Sequence, residues 1–367
     1  MRISNRLFRR GALAIAAVAL LAGCDDGDDG SPSAPAGSER PLQCEADTYA
    51  AFDAVNYQNQ VLRVAAHAEI ATALSAATAE PFDAATSNAA FAAARATYVD
   101  TASLQEKVQG RLDDHLVGQP ATGAALDATL MAWFEVGATT DDPLAATVAR
   151  QWIEKTLIDF FFLSVHHELV DGAASHWDEA FGYLGAPVDN AEGARRGLAL
   201  VATKRDATNG TALEATLYNG MIDGGCALAE ALAAAGTDSV AWDTVPALKV
   251  IVDELDLEMQ KTLAFSVAHE AFEMAEVQEM LAANPDDADA QAEMWIKLSE
   301  LDPYFRPIER LMTAKGGASA TRAGEIRAML DIAWGAWEAR DSAWMIAVDA
   351  AGIVERIEAE YAIDVKG

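Results

Sequence analysis

Apolar residues recur every three or four positions along most of this chain, which is the spacing of amphipathic helices. Proline and glycine residues interrupt that spacing at intervals, and runs of β-branched residues are scarce between residues 45 and 366. The pattern therefore predicts an all-α protein, built as a multi-helix array. The predicted helices lie at about 47–79, 101–117, 122–137, 144–170, 175–184, 190–204, 211–235, 245–283, 287–300 and 304–314, with an interrupted pair within 319–361.

The length of the periodic region predicts two packed helical-bundle halves. About 320 residues are more than one ordinary bundle uses, because a single hydrophobic core stops growing near this size. A Gly-Ala-Pro break at residues 185–187 is the best candidate for the boundary. We therefore assign residues 45–187 to an N-terminal half and residues 188–367 to a C-terminal half.

The first residues of the chain predict its destination. Four arginines precede an apolar stretch, Ala12 to Ala22, that is too short to span a bilayer as a mature helix. The stretch ends in Leu-Ala-Gly-Cys, which resembles the signal of bacterial lipoproteins. This resemblance implies removal of residues 1–23, lipidation of Cys24, and anchoring on the periplasmic or cell-surface side of a membrane. Residues 24–44 then form a flexible acidic tether. The alternative is an ordinary secretory signal with a coincidental cysteine.

Acidic residues greatly outnumber basic ones. The chain has 57 acidic and 26 basic residues, and loss of four arginines with residues 1–23 leaves 22 basic residues and a net charge of −35. Such a surface repels phosphate backbones, which excludes nucleic acid as a partner. The charge either attracts cations or only maintains solubility, and the second interpretation is the simpler one.

Two cysteines remain if Cys24 is lipidated. An exported protein matures in an oxidising compartment, where leftover cysteines can pair. Cys44 and Cys226 are therefore a candidate disulfide, although their proximity cannot be read from the sequence.

Half of the six histidines lie in residues 164–187, directly after an apolar run. His176 and Glu179 are three positions apart, so they share one face of a helix and could bind a metal ion together. The alternative is structural, because Glu179 would also be stabilised near a helix N-terminus. His166 and His167 close the preceding helix, where histidine more often caps carbonyl groups. A buried pair between His166 and Asp159 is a further alternative.

A second polar stripe lies on the helix predicted at 245–283. His269, Glu273 and Glu276 fall at i, i+4 and i+7, continuing an apolar, core-facing stripe. Inward-pointing histidine and carboxylate side chains are how helical bundles build metal sites. The alternative is that this face emerges into solvent. A zincin is disfavoured because Glu273 stands where a second zinc-binding histidine is needed.

Three stretches carry a family resemblance. His-Trp-Asp-Glu-Ala-Phe-Gly-Tyr-Leu-Gly at 176–185 resembles the signature of bacterial lipoproteins grouped as domain of unknown function 4856, which are similar to the imelysins. Residues 55–63 resemble the opening helix of that group, and residues 268–273 match it more loosely. Residues 174–179 also match the imelysin Gly-x-His-x-x-Glu motif, except that Ala174 replaces the glycine.

The resemblance implies an all-helical, exported protein with two bundle-like halves, related to iron or haem uptake, and it favours a functional role for His176 and Glu179. Our leading hypothesis is a non-enzymatic lipoprotein that binds a metal ion or small metal-containing ligand, with a membrane uptake partner. The predicted metal site comprises His176, Glu179, His269, Glu273 and His166. Iron, zinc or manganese suits these ligands, and haem is not excluded. The alternatives are a metal-dependent, peptidase-like hydrolase and a structural lipoprotein without a ligand.

Overall fold

A computed structural model describes residues 48–52, 57–116, 122–191 and 195–366. Within these residues the secondary structure is helical, without a strand, which confirms the all-α prediction. The α-helices are α1 (Gln58–Ala77), α2 (Ala84–Asp100), α3 (Leu104–Gly110), α4 (Thr122–Thr139), α5 (Pro143–Leu169), α6 (Ala174–Leu184), α7 (Gly197–Asn209), α8 (Leu213–Ala235), α9 (Pro246–Ala283), α10 (Ala288–Lys315), α11 (Gly317–Gly335), α12 (Ala343–Ala347) and α13 (Ala350–Tyr361).

Helix α5 lies at the centre of the array and packs against α1, α4, α6, α7 and α10. It begins as its sequence predicts, because the Asp142 side chain accepts a hydrogen bond from Leu144 N at 2.9 Å and Pro143 occupies the first turn. The phenylalanines at 160–162 are fully buried. Burial on all sides explains why the apolar run 157–163 shows no polar face.

Helix α9 is the second long element of the core. It packs against α7, α8, α10 and α13, while α10 lies along both α9 and α5. Contacts between α5 and α10 therefore join residues of the two predicted halves. The predicted boundary falls in the connection between α6 and α7.

The predicted helices differ from the structure most clearly in three places. Helix α2 was not predicted, because alanine supplies most of its apolar positions and only Phe91 and Tyr98 are large buried residues. The helices predicted at 287–300 and 304–314 form one helix, which continues through Pro303 and Pro307 because packing on α5 and α9 outweighs the lost hydrogen bonds. The helix predicted at 101–117 ends at Gly110, and an irregular loop follows.

No helix among the described residues is long and apolar enough to cross a membrane. The lipidation prediction at Cys24 and the cysteine at 44 lie outside the described residues. Cys226, on α8, is disulfide-bonded. Its pairing with Cys44 stays a prediction.

Candidate metal centre

The loop of residues 111–116 follows α3 and lies across the C-terminal end of α5. Its polar side chains reach partners on three other helices: Arg111 binds Glu168 at 3.0 Å, Asp113 binds Arg310 at 2.9 Å, Asp114 binds His167 at 2.5 Å, and His115 binds Asp256 at 2.7 Å. Asp113 also accepts a hydrogen bond from the backbone N–H of His115 at 3.2 Å. This turn, typical of aspartate, directs the His115 ring back toward the core.

His115, His166 and Asp256 form a compact cluster where the loop, α5 and α9 meet. Their donor atoms all lie within 4.8 Å of one another. His115 Nε2 is 2.7 Å and His166 Nδ1 is 3.2 Å from the same oxygen, Asp256 Oδ1. The His166 contact is too poorly aligned to be a hydrogen bond, so this buried nitrogen has no hydrogen-bond partner. Two imidazoles and a carboxylate therefore converge on one point.

The spacing of the three donors matches that of metal ligands. The His115 and His166 rings stack with centroids 3.6 Å apart and planes 23° apart, so both rings present an edge to Asp256. Ligand atoms about 2.0–2.2 Å from a tetrahedral ion are about 3.3 Å from each other. The separations of Asp256 Oδ1 from His115 Nε2 and His166 Nδ1, 2.7 and 3.2 Å, differ from that spacing by about 0.6 Å or less. The side chains are about one-tenth exposed, so the cluster is close to solvent.

A second layer of polar groups fixes the cluster. Asp113 Oδ1 lies 3.1 Å from His115 Nδ1, on the side of the ring opposite Asp256. Arg310 then joins Asp113 to Asp159, which it binds with two nitrogens at 2.7 and 3.0 Å. A carboxylate behind a histidine is the usual support of a metal-binding imidazole, because it fixes the ring orientation and raises the basicity of the other nitrogen.

Without an ion, a proton supplies the positive charge of the cluster. Burial lowers the pKa of His115, but hydrogen bonds with Asp113 and Asp256 outweigh it and raise the pKa to about 9. Burial raises the pKa of Asp256, but the His115 hydrogen bond and the nearby His166 imidazole hold it well below the usual range. The ion-free cluster is therefore an imidazolium between two carboxylates, which is the charge arrangement that a metal cation would replace.

His176 and Glu179, predicted to bind a metal ion together, are each bonded to a different side chain. His176, near the start of α6, places Nδ1 2.6 Å from Glu168 Oε2 and Nε2 3.7 Å from Asp171. Glu179 instead accepts a hydrogen bond from Gln60 on α1. Burial lowers the pKa of His176, but Glu168 and Asp171 raise it overall. Glu168, rather than Glu179, is the direct partner of this histidine.

The predicted pair His269 and Glu273 lies beside a lysine. His269 Nε2 is 3.6 Å from Glu273, and these two residues with Glu270 could offer three ligands to an ion. We call the surrounding group the Lys297 cluster, because the ammonium of Lys297 contacts Glu270, Glu273, Glu293 and Glu300. The Lys297 ammonium already lies among these groups and offsets part of their negative charge, so a metal ion would have to displace it.

The five predicted ligands do not form one site. Asp256, beside His166, and His269 are 13 positions apart on α9, which is about 20 Å of helix. His176 is bonded to Glu168, two positions beyond His166, and so lies toward the Asp256 end. A cavity of about 520 Å³ beside α6 is lined by residues of α6, the end of α8 and the turn that follows, not by α9. A shared pocket for His176 and His269 is therefore contradicted.

Sequence reasoning missed two of the three residues in the cluster. His115 was not among the predicted ligands, although its neighbours Asp113 and Asp114 were a visible sign of local polar bonding. The sequence around Asp256 does not mark it as a ligand, because it meets His166 only through the antiparallel packing of α9 against α5. The suggested pair between His166 and Asp159 is wrong, because Asp159 binds Arg310.

The Lys297 cluster predicts an unusual dependence of stability on pH. Burial and then the neighbouring Glu300 raise the pKa of Glu270 to about 8. A carboxyl group whose folded pKa exceeds its unfolded value keeps a proton that the unfolded chain releases, so its contribution to stability falls as pH rises from about 4.5 to 8, by up to about 1.4 kcal/mol per pH unit.

We expect Glu270→Gln to remove this loss, raising the melting temperature above that of the wild type at about pH 8 and leaving it nearly unchanged at about pH 5. Thermal melts at both pH values measure the effect, with Glu276→Gln on the same helix as the matched control. If Glu270→Gln kept the pH dependence of the wild-type melting temperature, the raised pKa of Glu270 would not be its cause.

No family model, curated protein or solved structure matches this chain.

Proposed function

We propose that this is an exported, lipid-anchored binding protein that holds one divalent transition-metal ion at His115, His166 and Asp256. The observation that carries the proposal is the convergence of two imidazoles and a carboxylate within 4.8 Å, with Asp113 supporting the far side of the His115 ring. His166 belongs to the ligand set predicted from sequence, and His115 and Asp256 replace the other four residues.

The donor set favours zinc, ferrous iron or manganese. Imidazole and carboxylate suit these ions, whereas copper(I) prefers sulfur. A haem group fits the cluster poorly, because the two rings stack on each other and face the carboxylates of Asp113 and Asp256 instead of an apolar slot. A single ion is the ligand that the charges and spacing support.

The cellular setting of the proposal comes from the sequence. The lipoprotein-like N-terminus supports anchoring outside the cytoplasm, and the imelysin-like motif supports a part in iron uptake with a membrane partner. His176 is then a partly exposed residue outside the cluster, because its imidazole is bound to Glu168.

Calorimetric titration of zinc, manganese and ferrous iron into metal-free protein tests the proposal. We expect one ion per chain, because the described residues offer one cluster free of a competing lysine. His166→Ala should weaken binding by more than about tenfold, since it removes one of three protein donors. His176→Ala and Glu179→Ala should bind as the wild type does, because neither side chain is a donor in this cluster.

Equal affinity in the wild type and His166→Ala would contradict the assignment, and so would loss of binding in Glu179→Ala. Circular dichroism melts of each variant separate a lost ligand from a lost fold.

A hydrolase is the second candidate function, because a three-ligand ion keeps a position open for water. Neither Glu179 nor Glu273 is available as its general base, since Glu179 is bonded to Gln60 and Glu273 to Lys297. Peptide turnover that stops with a chelator and returns with zinc would favour this candidate. If no ion binds to the wild type and His166→Ala changes only the melting temperature, the protein is a structural lipoprotein without a ligand.

A further inference from the structure

The two carboxylate oxygens of Asp256 have different partners. Oδ1 faces the cluster, 2.7 Å from His115 Nε2 and 3.2 Å from His166 Nδ1. Oδ2 instead accepts a hydrogen bond from the side-chain amide of Gln260 at 2.7 Å. Gln260 lies four positions after Asp256 on α9, so one turn of helix brings the two side chains together. One oxygen is therefore left to bind an ion, while the other is already bound.

Gln260 orients Asp256 and is not itself a ligand of the cluster. The atom that contacts the carboxylate is Nε2, which donates hydrogen bonds and does not bind cations. The amide is neutral, so it holds the carboxylate without cancelling its charge as a lysine would. Carboxylates that bind metal ions are commonly hydrogen-bonded to such a supporting group, which fixes their orientation. The geometry therefore favours binding of an ion through Oδ1 alone.

The surroundings of the cluster restrict the number of additional ligands. The side chains of His115, His166 and Asp256 are only 11–16% exposed. The His115 ring also stacks on the fully buried ring of Phe162, with centroids 5.6 Å apart. A six-coordinate ion would need three water molecules besides the three protein donors, whereas a four-coordinate ion needs only one. Limited access to solvent therefore favours the lower coordination number.

We propose that Gln260 is a positioning residue that keeps Asp256 monodentate and makes the cluster a four-coordinate site selective for zinc over manganese. This inference rests on the proposed metal function and narrows its candidate ions to zinc. Zinc takes four tetrahedral ligands, commonly three side chains and one water molecule. Manganese prefers more oxygen ligands in an octahedral arrangement, and ferrous iron in a site with two histidines and one carboxylate keeps several positions open. The Gln260 hydrogen bond opposes the second oxygen contact that manganese would gain.

Replacing Gln260 with methionine removes the hydrogen-bond donor but keeps a side chain of similar length. Asp256 is then free to bind an ion with both oxygens, which suits manganese better than zinc. We expect the ratio of zinc affinity to manganese affinity to fall by about tenfold or more, within the range by which supporting residues change metal affinity. Competition titrations of both ions into metal-free protein measure this ratio.

Cobalt(II) supplies a second readout, because it can take the place of zinc and its visible absorption depends on its coordination number. A four-coordinate tetrahedral cobalt ion absorbs strongly, whereas cobalt with more ligands absorbs weakly. We expect strong absorption per bound ion in the wild type and weaker absorption in Gln260→Met. If Gln260 only stabilised the fold, the spectrum per bound ion would not change.

Gln109→Met is the matched control. Gln109, on α3, donates the same kind of hydrogen bond to a carboxylate oxygen, Asp127 Oδ2, at 2.8 Å, but this pair lies outside the cluster. The variant should keep the affinity ratio and the cobalt spectrum of the wild type. Melting curves show whether each variant is folded. Gln260→Ala removes the same donor and should give the same changes if Gln260→Met does not fold.

Failure of this inference and failure of the metal function give different results. If the wild type binds neither zinc nor cobalt, the metal function is wrong, and the role of Gln260 is wrong with it. If the wild type binds both ions but Gln260→Met keeps the same affinity ratio and spectrum, only the role of Gln260 is overturned. Weak absorption by the wild-type cobalt protein would also overturn it, because the site would not be four-coordinate.

Discussion

Replacing Arg310 with methionine should lower the free energy of unfolding by about 3–5 kcal/mol. The guanidinium joins Asp113 and Asp159, and both carboxylates are almost fully buried. Removing the shared cation leaves both buried carboxylates short of the positive charge that they share, although Asp113 keeps its contact with His115, and removing one partner is the costly way to break a buried ion pair. Urea denaturation of the metal-free protein measures the change.

The control is Arg356→Gln, which breaks an exposed pair with Glu325 and should cost no more than about 1 kcal/mol. The double variant Arg310→Met, Asp159→Asn should recover part of the stability, because one of the two stranded charges is removed. A loss for Arg310→Met as small as that for Arg356→Gln would show that the Arg310 network does not hold the loop of residues 111–116 in place.

Replacing Asp256 with asparagine should weaken zinc binding by at least about a hundredfold. The substitution keeps the shape of the side chain but removes the one charged donor among three, and even supporting residues behind a ligand change affinity by about 10–100-fold. Asp113→Asn, which alters only the support of His115, should therefore weaken binding less than Asp256→Asn does. Competition titration against a zinc-binding dye measures both affinities.

His167→Ala is the matched control for these variants. His167 neighbours His166 and also pairs with an aspartate of the loop, but its side chain is 38% exposed and lies outside the cluster. Its removal should leave zinc affinity unchanged. If His167→Ala weakened binding as strongly as Asp256→Asn, the ion would be bound through general negative charge at the end of α5.

The fold was largely predictable from the sequence because helical periodicity and capping are local. Asp142 and Pro143 predicted the start of α5, and Gly185 predicted the end of α6, where the residue adopts φ +82°. Helix α2 was missed because alanine gives little contrast between a buried and an exposed face. The end of α3 was missed although Gly110 directly precedes the change of direction at Arg111, because the predicted helix continued past this glycine to residue 117.

The candidate site was less predictable because its residues come from distant parts of the chain. Sequence proximity favoured His176 with Glu179, but Gln60 of α1 is the partner of Glu179 and Glu168 at the end of α5 is the partner of His176. The stripe containing His269 becomes exposed by Glu276, as the alternative interpretation had it, and a lysine from α10 contacts Glu273. Helical spacing shows which residues share a face, whereas a bond between helices depends on packing that spacing does not describe.

A crystal structure of the zinc-loaded protein, with the ion located by its anomalous scattering, tests directly whether His115, His166 and Asp256 bind the metal. We expect one strong peak about 2.0–2.2 Å from nitrogens of His115 and His166 and an oxygen of Asp256. A peak beside His176 and Glu179, a peak beside His269 and Glu273, or no peak in zinc-saturated crystals would contradict it.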